Sequence, residues 1–400
     1  MKANTYLIKI LRLLSLIFLI GIFVSNALMQ MTTAMFFPFV IYLVIRRINE
    51  RKLTSLELLV ILLFFSSLLS IYLSPNPSLA AKNIIYHSIL LVIIPIGYAA
   101  KYDEIINIHL ASKLISAVAL LSAALGIIRY FSRAERAYGF FGGYYTLAST
   151  LAFTIPITFV FIFYSKYVWK YLAIVSTFIQ TAALWLTFTR SALMGLIIGG
   201  IVVIVILFFN SQLAKPARTK IALTSSFALI IILILLFTSS DTRLNPSLIF
   251  SNPDLSSGRN EIYNDAYNIV NSDFESGWKY IFLGHGLESR IILFPKSLYT
   301  SWESDYIETF ISQGLVGFLL TILIYYQLFK RLFRLFSKVK HTAYSRFVFG
   351  LIGSGIGFWV ISFFSSQLVG RNSSAYFVVI YSLIIIVDRA VQNKSVSPLN

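Results

Sequence analysis

An all-α, polytopic membrane bundle of about twelve transmembrane helices is the fold class this sequence predicts, since apolar runs able to cross roughly 30 Å of hydrocarbon recur along it. Of its 400 residues 58% are hydrophobic and only 12% charged, against about 45 to 50% and about 25% in soluble domains. The longest interruption, Thr238 to Asp305, reads as one large extracytoplasmic loop. No composition shift marks a separate soluble unit, so residues 1–400 read as a single integral membrane domain with 238–305 as its loop.

Taken in order, Leu7 to Met29 is the first run, with Lys9 and Arg12 placed to snorkel to headgroups. A signal peptide is the competing reading, but Ser25-Asn26-Ala27 is a poor cleavage site and a retained helix is preferred. Thr32 to Ile45 is short, contains Pro38, and ends at Arg46, Arg47, Arg51 and Lys52. Leu53 to Leu73 and Asn83 to Ala100 flank the turn Ser74-Pro75-Asn76-Pro77, whose prolines stop a helix. Leu110 to Ile128 leads to an outer loop, Arg129 to Tyr145, and Leu147 to Tyr164 returns from it. Tyr171 to Thr189 and Ser191 to Phe209 form a hairpin with Arg190 at its tip. Ile221 to Phe237 enters the large loop and Tyr306 to Phe329 leaves it, before Arg346 to Ser365 and Ser373 to Val387.

This threading leaves both termini on one side, which also collects about two thirds of the 33 Lys and Arg residues. The positive-inside rule makes that side cytoplasmic. The formal charge of +17 is then accounted for without nucleic acid. Absent cysteine excludes disulfides, thiolate metal sites and cysteine nucleophiles, and four histidines argue against a histidine-rich metal centre. No cofactor is expected.

Arginines on the outer side run against insertion preference, so each asks for a reason. Arg190, within Thr187-Phe188-Thr189-Arg190-Ser191-Ala192, has almost no loop in which to leave the bilayer; binding of lipid headgroups is the alternative to a functional role. Arg259 falls in the first turn of an amphipathic helix, with Ser257 as N-cap and Ile262, Ala266, Ile269 and Val270 on one face. A cation there opposes the helix dipole, whereas a phosphate would be held by the helix N-terminus and the guanidinium together. Pairing with Asp254 or Glu261 is the plainer reading. Glu303 reads either as a catalytic carboxylate or as the closing residue of a capping box in Thr300-Ser301-Trp302-Glu303, and Asp305 suits a first helical turn. His285, between Gly284 and Gly286, reads as a turn residue or a base. Trp278, Tyr280, Tyr299 and Trp302 are candidates for stacking on sugars or for an interfacial aromatic belt.

Together these stretches resemble the O-antigen ligase and polymerase family of membrane glycosyltransferases. Thr189-Arg190-Ser191-Ala192 followed by Gly195 is similar to its Ser/Thr-Arg-small-small motif. Ser257-Gly258-Arg259 and Leu283-Gly284-His285-Gly286 are similar to its large-loop elements, and Arg136-Ala137-Tyr138-Gly139-Phe140-Phe141 to its outer loop. Glu303 to Gly317, with Tyr306, Gly314 and Leu315, resembles the start of the helix that follows the loop.

The resemblance implies transfer of glycans from undecaprenyl diphosphate at the outer face of the bacterial cytoplasmic membrane. It implies that Arg190 and Arg259 hold the lipid diphosphate, that Arg136, His285, Trp302 and Asp305 belong to the substrate site, and that Glu303 acts on the acceptor. Undecaprenyl-diphosphate-linked oligosaccharide, the lipid bilayer, a flippase and a chain-length regulator are the implied partners. Fixed cations suit this chemistry, because negative charge develops on a diphosphate leaving group; the acceptor hydroxyl still calls for a base. Ligases of the family usually carry histidine where this chain has Glu303, and Ser304 replaces an asparagine, so a polymerase is the favoured reading. The alternatives are a ligase acting on lipid or protein, and a flippase or transporter, which would place polar residues near the bilayer midplane.

Overall fold

The computed structural model describes residues 5–50, 52–74, 76–133, 136–163, 165–209, 259–276, 278–295, 301–339, 342, 344–370 and 372–392, with positions 219, 223, 226 and 230 between them. Every regular element among them is helical. They are α1 (Thr5–Val24), α2 (Asn26–Asn49), α3 (Ser55–Leu73), α4 (Pro77–Ser88), α5 (Ile93–Tyr102), α6 (Ile108–Arg133), α7 (Tyr144–Phe161), α8 (Tyr167–Leu186), α9 (Arg190–Phe209), α10 (Arg259–Ser276), α11 (Trp278–Leu283), α12 (Ser289–Leu293), α13 (Asp305–Val339), α14 (Ser345–Ser362) and α15 (Ser374–Gln392). A 3-10 turn, Ile89–Val92, joins α4 to α5 into one span.

Nine of the helices among the described residues are long and apolar enough to cross a membrane, and the first part of α9 is a shorter apolar helix. The chain is a multi-pass membrane protein. The expected span Ile221 to Phe237 and the Ser257 cap lie outside the described residues, as does Asp254.

Local chemistry explains the helix ends. Ser25 caps α2 through Leu28 N–H (3.3 Å). Thr54 and Glu57 close a reciprocal capping box at the start of α3. Asn76 caps α4, with Pro77 in its first turn, where a missing N–H costs nothing. Two helices run further than apolar length suggests. α2 passes through Pro38, and α13 continues through Lys330, Arg331, Arg334 and Lys338 because Leu332, Leu335 and Val339 keep a buried stripe at helical spacing.

The tightest crossing joins α9 to α14. A methyl group added at Gly195 would lie 2.7 Å from the Gly357 carbonyl oxygen, and one at Gly199 only 2.5 Å from that of Gly353. Small residues four apart on both helices let the backbones touch, the usual device where lipid supplies no hydrophobic drive between helices.

The two ends of the bundle differ. At one, here the loop end, α10 to α12 form a cap over the start of α13. Ile262, Ala266 and Ile269 of α10 bury themselves with Trp302 and Ile311, as their spacing predicts. At the other, the basic end, the last turns of α2, α5, α13 and α15 gather.

α13 is broken near its start, where Gly314 adopts φ +66° and ψ −163°. The break admits the backbone of α11: a Cβ on Gly314 would lie 2.3 Å from Phe282 C and O. His285 N–H then donates to the Ile311 carbonyl (2.7 Å) and Gly286 N–H to that of Ser312 (3.0 Å). Apolar periodicity carries no sign of this break, because only glycine takes that backbone conformation without strain.

Candidate active site at the loop end

Arg259 opens α10 and reaches across to two other parts of the chain. Its Nη2 donates to the Phe364 carbonyl at 3.2 Å, just beyond the end of α14, and its Nε lies 3.8 Å from the Glu303 carboxylate. The guanidinium also sits 5.8 Å from the Phe364 ring centroid. Its Nε is buried and meets no hydrogen-bond acceptor among the described residues, which leaves donor capacity on a largely enclosed cation. Among the described residues its ion-pair partner is Glu303 rather than Glu261, and the expected partner Asp254 lies outside them.

Glu303 precedes α13 rather than lying within it. Its φ of +48° is left-handed, a conformation costing a non-glycine residue on the order of 1 to 3 kcal/mol. The capping box expected from Thr300 to Glu303 therefore does not form at Glu303, since the helix begins two residues later. Instead Glu308 reaches back and accepts from Trp302 N–H at 3.2 Å. Burial pushes the Glu303 carboxyl above the ordinary carboxylate range, and Arg259 and Arg290 pull it partly back. A carboxylate so tuned is a stronger proton acceptor once ionised, which suits a general base.

Arg190 begins α9 at the hairpin tip. Before it the chain turns through Phe188, at φ +52°, and the buried residues Thr187 and Thr189, where Thr189 N–H donates to the Thr187 hydroxyl (3.3 Å). The register of α9 against α14 places it: Gly199 meets Gly353 and Gly195 meets Gly357, so the same antiparallel progression brings Arg190 level with Ser362. Phe364, which accepts from Arg259, follows two residues later. Both arginines thus sit at the same end of α14.

Arg136 approaches from the α6–α7 loop. Ala137 N–H donates to the Leu186 carbonyl at 2.9 Å, tying that loop to the hairpin tip. The Arg136 guanidinium lies 4.1 Å from the Tyr144 ring centroid. Its charge acts on the Tyr145 phenol, as do those of Arg259 and Glu303. Tyr145 is a residue sequence reading missed, although it lies only four residues beyond the Arg136 to Phe141 motif.

The remaining predicted site residues are engaged with protein. Asp305 is fully buried and accepts from Gln367 N–H (2.7 Å), Leu368 N–H (2.8 Å), Val369 N–H (3.3 Å) and the Tyr325 hydroxyl (2.7 Å). It fastens the start of α13 to the loop after α14. Trp302 is also fully buried; its indole N–H donates to Ser289 Oγ (3.3 Å), and Arg290 lies 4.7 Å from its ring. His285 pairs with buried Asp273 through Nε2 (2.9 Å) and stacks on Tyr280, with centroids 4.5 Å apart and planes within 2°. The loop end brings Arg259, Glu303, Tyr145 and Arg136 together, with Arg190 at the same level.

Residues 175–322 match the Wzy_C family, described as O-antigen ligase. No curated protein matches the chain. The matched segment runs from the hairpin through the loop to α13, contains Arg190, Arg259, Glu303 and Asp305, and supports the resemblance of this part of the chain to the O-antigen ligase and polymerase family.

Proposed function

We propose that this protein polymerises oligosaccharide repeat units carried on undecaprenyl diphosphate, at the outer face of a bacterial cytoplasmic membrane, with the loop end outside and both termini in the cytoplasm. The observation that carries the reading is the position of Arg259, wedged between Glu303 and the Phe364 carbonyl with donor capacity remaining. Arg259 and Arg190 hold the donor's diphosphate. The acceptor hydroxyl oxygen attacks the anomeric carbon, the bond from that carbon to the diphosphate oxygen breaks, and the lipid diphosphate leaves as an anion held by the arginines. Glu303 receives the hydroxyl proton. Arg136 and Tyr145 line the approach, while Asp305, Trp302 and the His285–Asp273 pair position the loop that carries Glu303. A flippase would deliver the donor and a chain-length regulator would limit the product.

The carboxylate at 303, where ligases of the family usually have histidine, favours polymerisation over ligation. The test is mass analysis of lipid-linked and surface glycan in a deletion strain. Single repeat units accumulating on the outer face, and restored to polymer by wild type but not by Arg259→Ala, are the expected result. Polymer of normal length left unattached would identify a ligase, and units held on the inner face a flippase.

A further inference from the structure

The basic end holds a feature that glycosyl transfer at the loop end does not use. A cavity of about 610 Å³ opens there between α2, α3, α5, α13 and α15. Its walls carry eight lysine and arginine side chains against four carboxylates. The carboxylates are largely committed. Glu50 takes Arg46 (3.2 Å) and Lys52 (3.0 Å), buried Glu57 takes Arg47, and Asp388 takes Lys338 (2.8 Å). Arg389 donates to the backbone carbonyls of Asp103 and Ile106 and faces Glu104.

Three cations remain on the cavity wall with no carboxylate partner among the described residues: Lys101, Arg331 and Arg334. Arg331 and Arg334 stand one turn apart on α13, on the face that meets α15. The Arg331 guanidinium lies 5.5 Å from the ring of Tyr381, whose hydroxyl is within 3.4 Å of Thr54 Oγ1. Lys101 closes the other side from α5, over Tyr102. Leu43, Leu335 and Ile384 supply an apolar flank.

Three uncompensated cations converging on a cavity that hydroxyls also line form a receptor for a small polyvalent anion, and two of them offer the planar fork that phosphate oxygens match. The site is far from the loop end. The helix from Gly314 to Arg331 alone spans about 25 Å at 1.5 Å per residue.

We propose that this cavity binds a phosphate group. Its place at the ends of spanning helices, with an apolar flank beside the cations, makes the headgroup of an anionic phospholipid the source that fits. This site stands independently of the catalytic reading.

The test is thermal unfolding of the purified full-length protein in neutral detergent, titrated with phosphatidylglycerol, phosphatidylcholine or inorganic pyrophosphate. Phosphatidylglycerol should raise the midpoint and phosphatidylcholine should not. Arg334→Gln and Lys101→Gln, both exposed positions suited to leaving the fold intact, should each raise the concentration needed roughly fivefold. A paired Lys166→Gln and Lys170→Gln variant, at exposed positions at the start of α8, should titrate as wild type. A shift with the lipid alone supports a headgroup, and an equal shift with pyrophosphate supports a free phosphate ligand. Equal responses to both lipids without one to pyrophosphate would overturn the proposal, as would Arg334→Gln and Lys101→Gln titrating as wild type. A loss in the Lys166 and Lys170 variant equal to theirs would overturn it too, by showing attraction to surface charge in general.

Discussion

Arg259 and Glu303 face each other at 3.8 Å, too far for a hydrogen bond and close enough for each charge to bias the other. An anion entering between Arg259 and Arg190 would compete for that guanidinium and leave Glu303 to the acceptor.

If the two arginines clamp one diphosphate, charge alone is insufficient. Lysine keeps the charge but lacks the bidentate fork. Arg190→Lys and Arg259→Lys should each lower polymer synthesis by roughly 10- to 100-fold, the range expected for a lost charge-assisted hydrogen bond, with protein levels unchanged. The double variant should lose far less than the two single losses combined, because the residues act as a unit. Wild-type activity in folded Arg259→Ala protein would return the residue to a structural ion-pairing role with Glu303.

Glu303 predicts a pH signature. As a base it must be ionised, so activity should rise with pH through a limb lying above the ordinary carboxylate range, because burial raises its pKa. Glu303→Gln should remove that limb and lower the rate by roughly 10²- to 10⁴-fold. Stability should move the other way. A carboxyl with a raised pKa binds its proton more tightly in the folded than in the unfolded chain, so stability is lost as pH rises from the ordinary value of 4.5 through the folded pKa. Thermal unfolding of Glu303→Gln should lack that decline.

Asp305 predicts a structural loss. Asparagine keeps one acceptor oxygen where the carboxylate serves three backbone N–H groups and a phenol. Asp305→Asn should destabilise the protein by about 3 kcal/mol, and Tyr325→Phe by about 1 kcal/mol, measured by denaturation in detergent. An unchanged unfolding midpoint for Asp305→Asn would show that the loop after α14 is held by other contacts.

Much of this was legible in the sequence. Composition and run length give the bundle, and the α10 face follows from Ile262, Ala266 and Ile269. The short motifs around Arg190 and Arg259 fall at the same end of α14. What was not legible depends on backbone. The carbonyl of Phe364 and the N–H groups of 367–369 have no side-chain signature, and they lie far along the chain from the residues they bind. The left-handed turn at Glu303 defeats helical periodicity, which made it look like a capping residue. Tyr145 stands within electrostatic reach of three charges contributed from three separate segments.

Orientation is open to direct labelling, since the chain has no cysteine. With the loop end outside, a membrane-impermeant thiol reagent should modify Asn271→Cys in intact spheroplasts and leave Ser337→Cys untouched until the membrane is opened; both positions are exposed. The reverse pattern would invert the topology.

The break at Gly314 turns the first part of α13 into a lever. The nine residues from Asp305 to Gln313 make an arm of about 13 Å, pivoted at Gly314, and Glu303 rides just beyond its tip. A swing of 5° would displace the tip by about 1 Å, a misplacement on the scale that costs an enzyme about 100-fold in rate. Asp305, fastened to residues 367–369, is the pin at the far end of that arm. The tolerance of the candidate catalytic carboxylate is therefore set by two neighbours that need never touch a sugar.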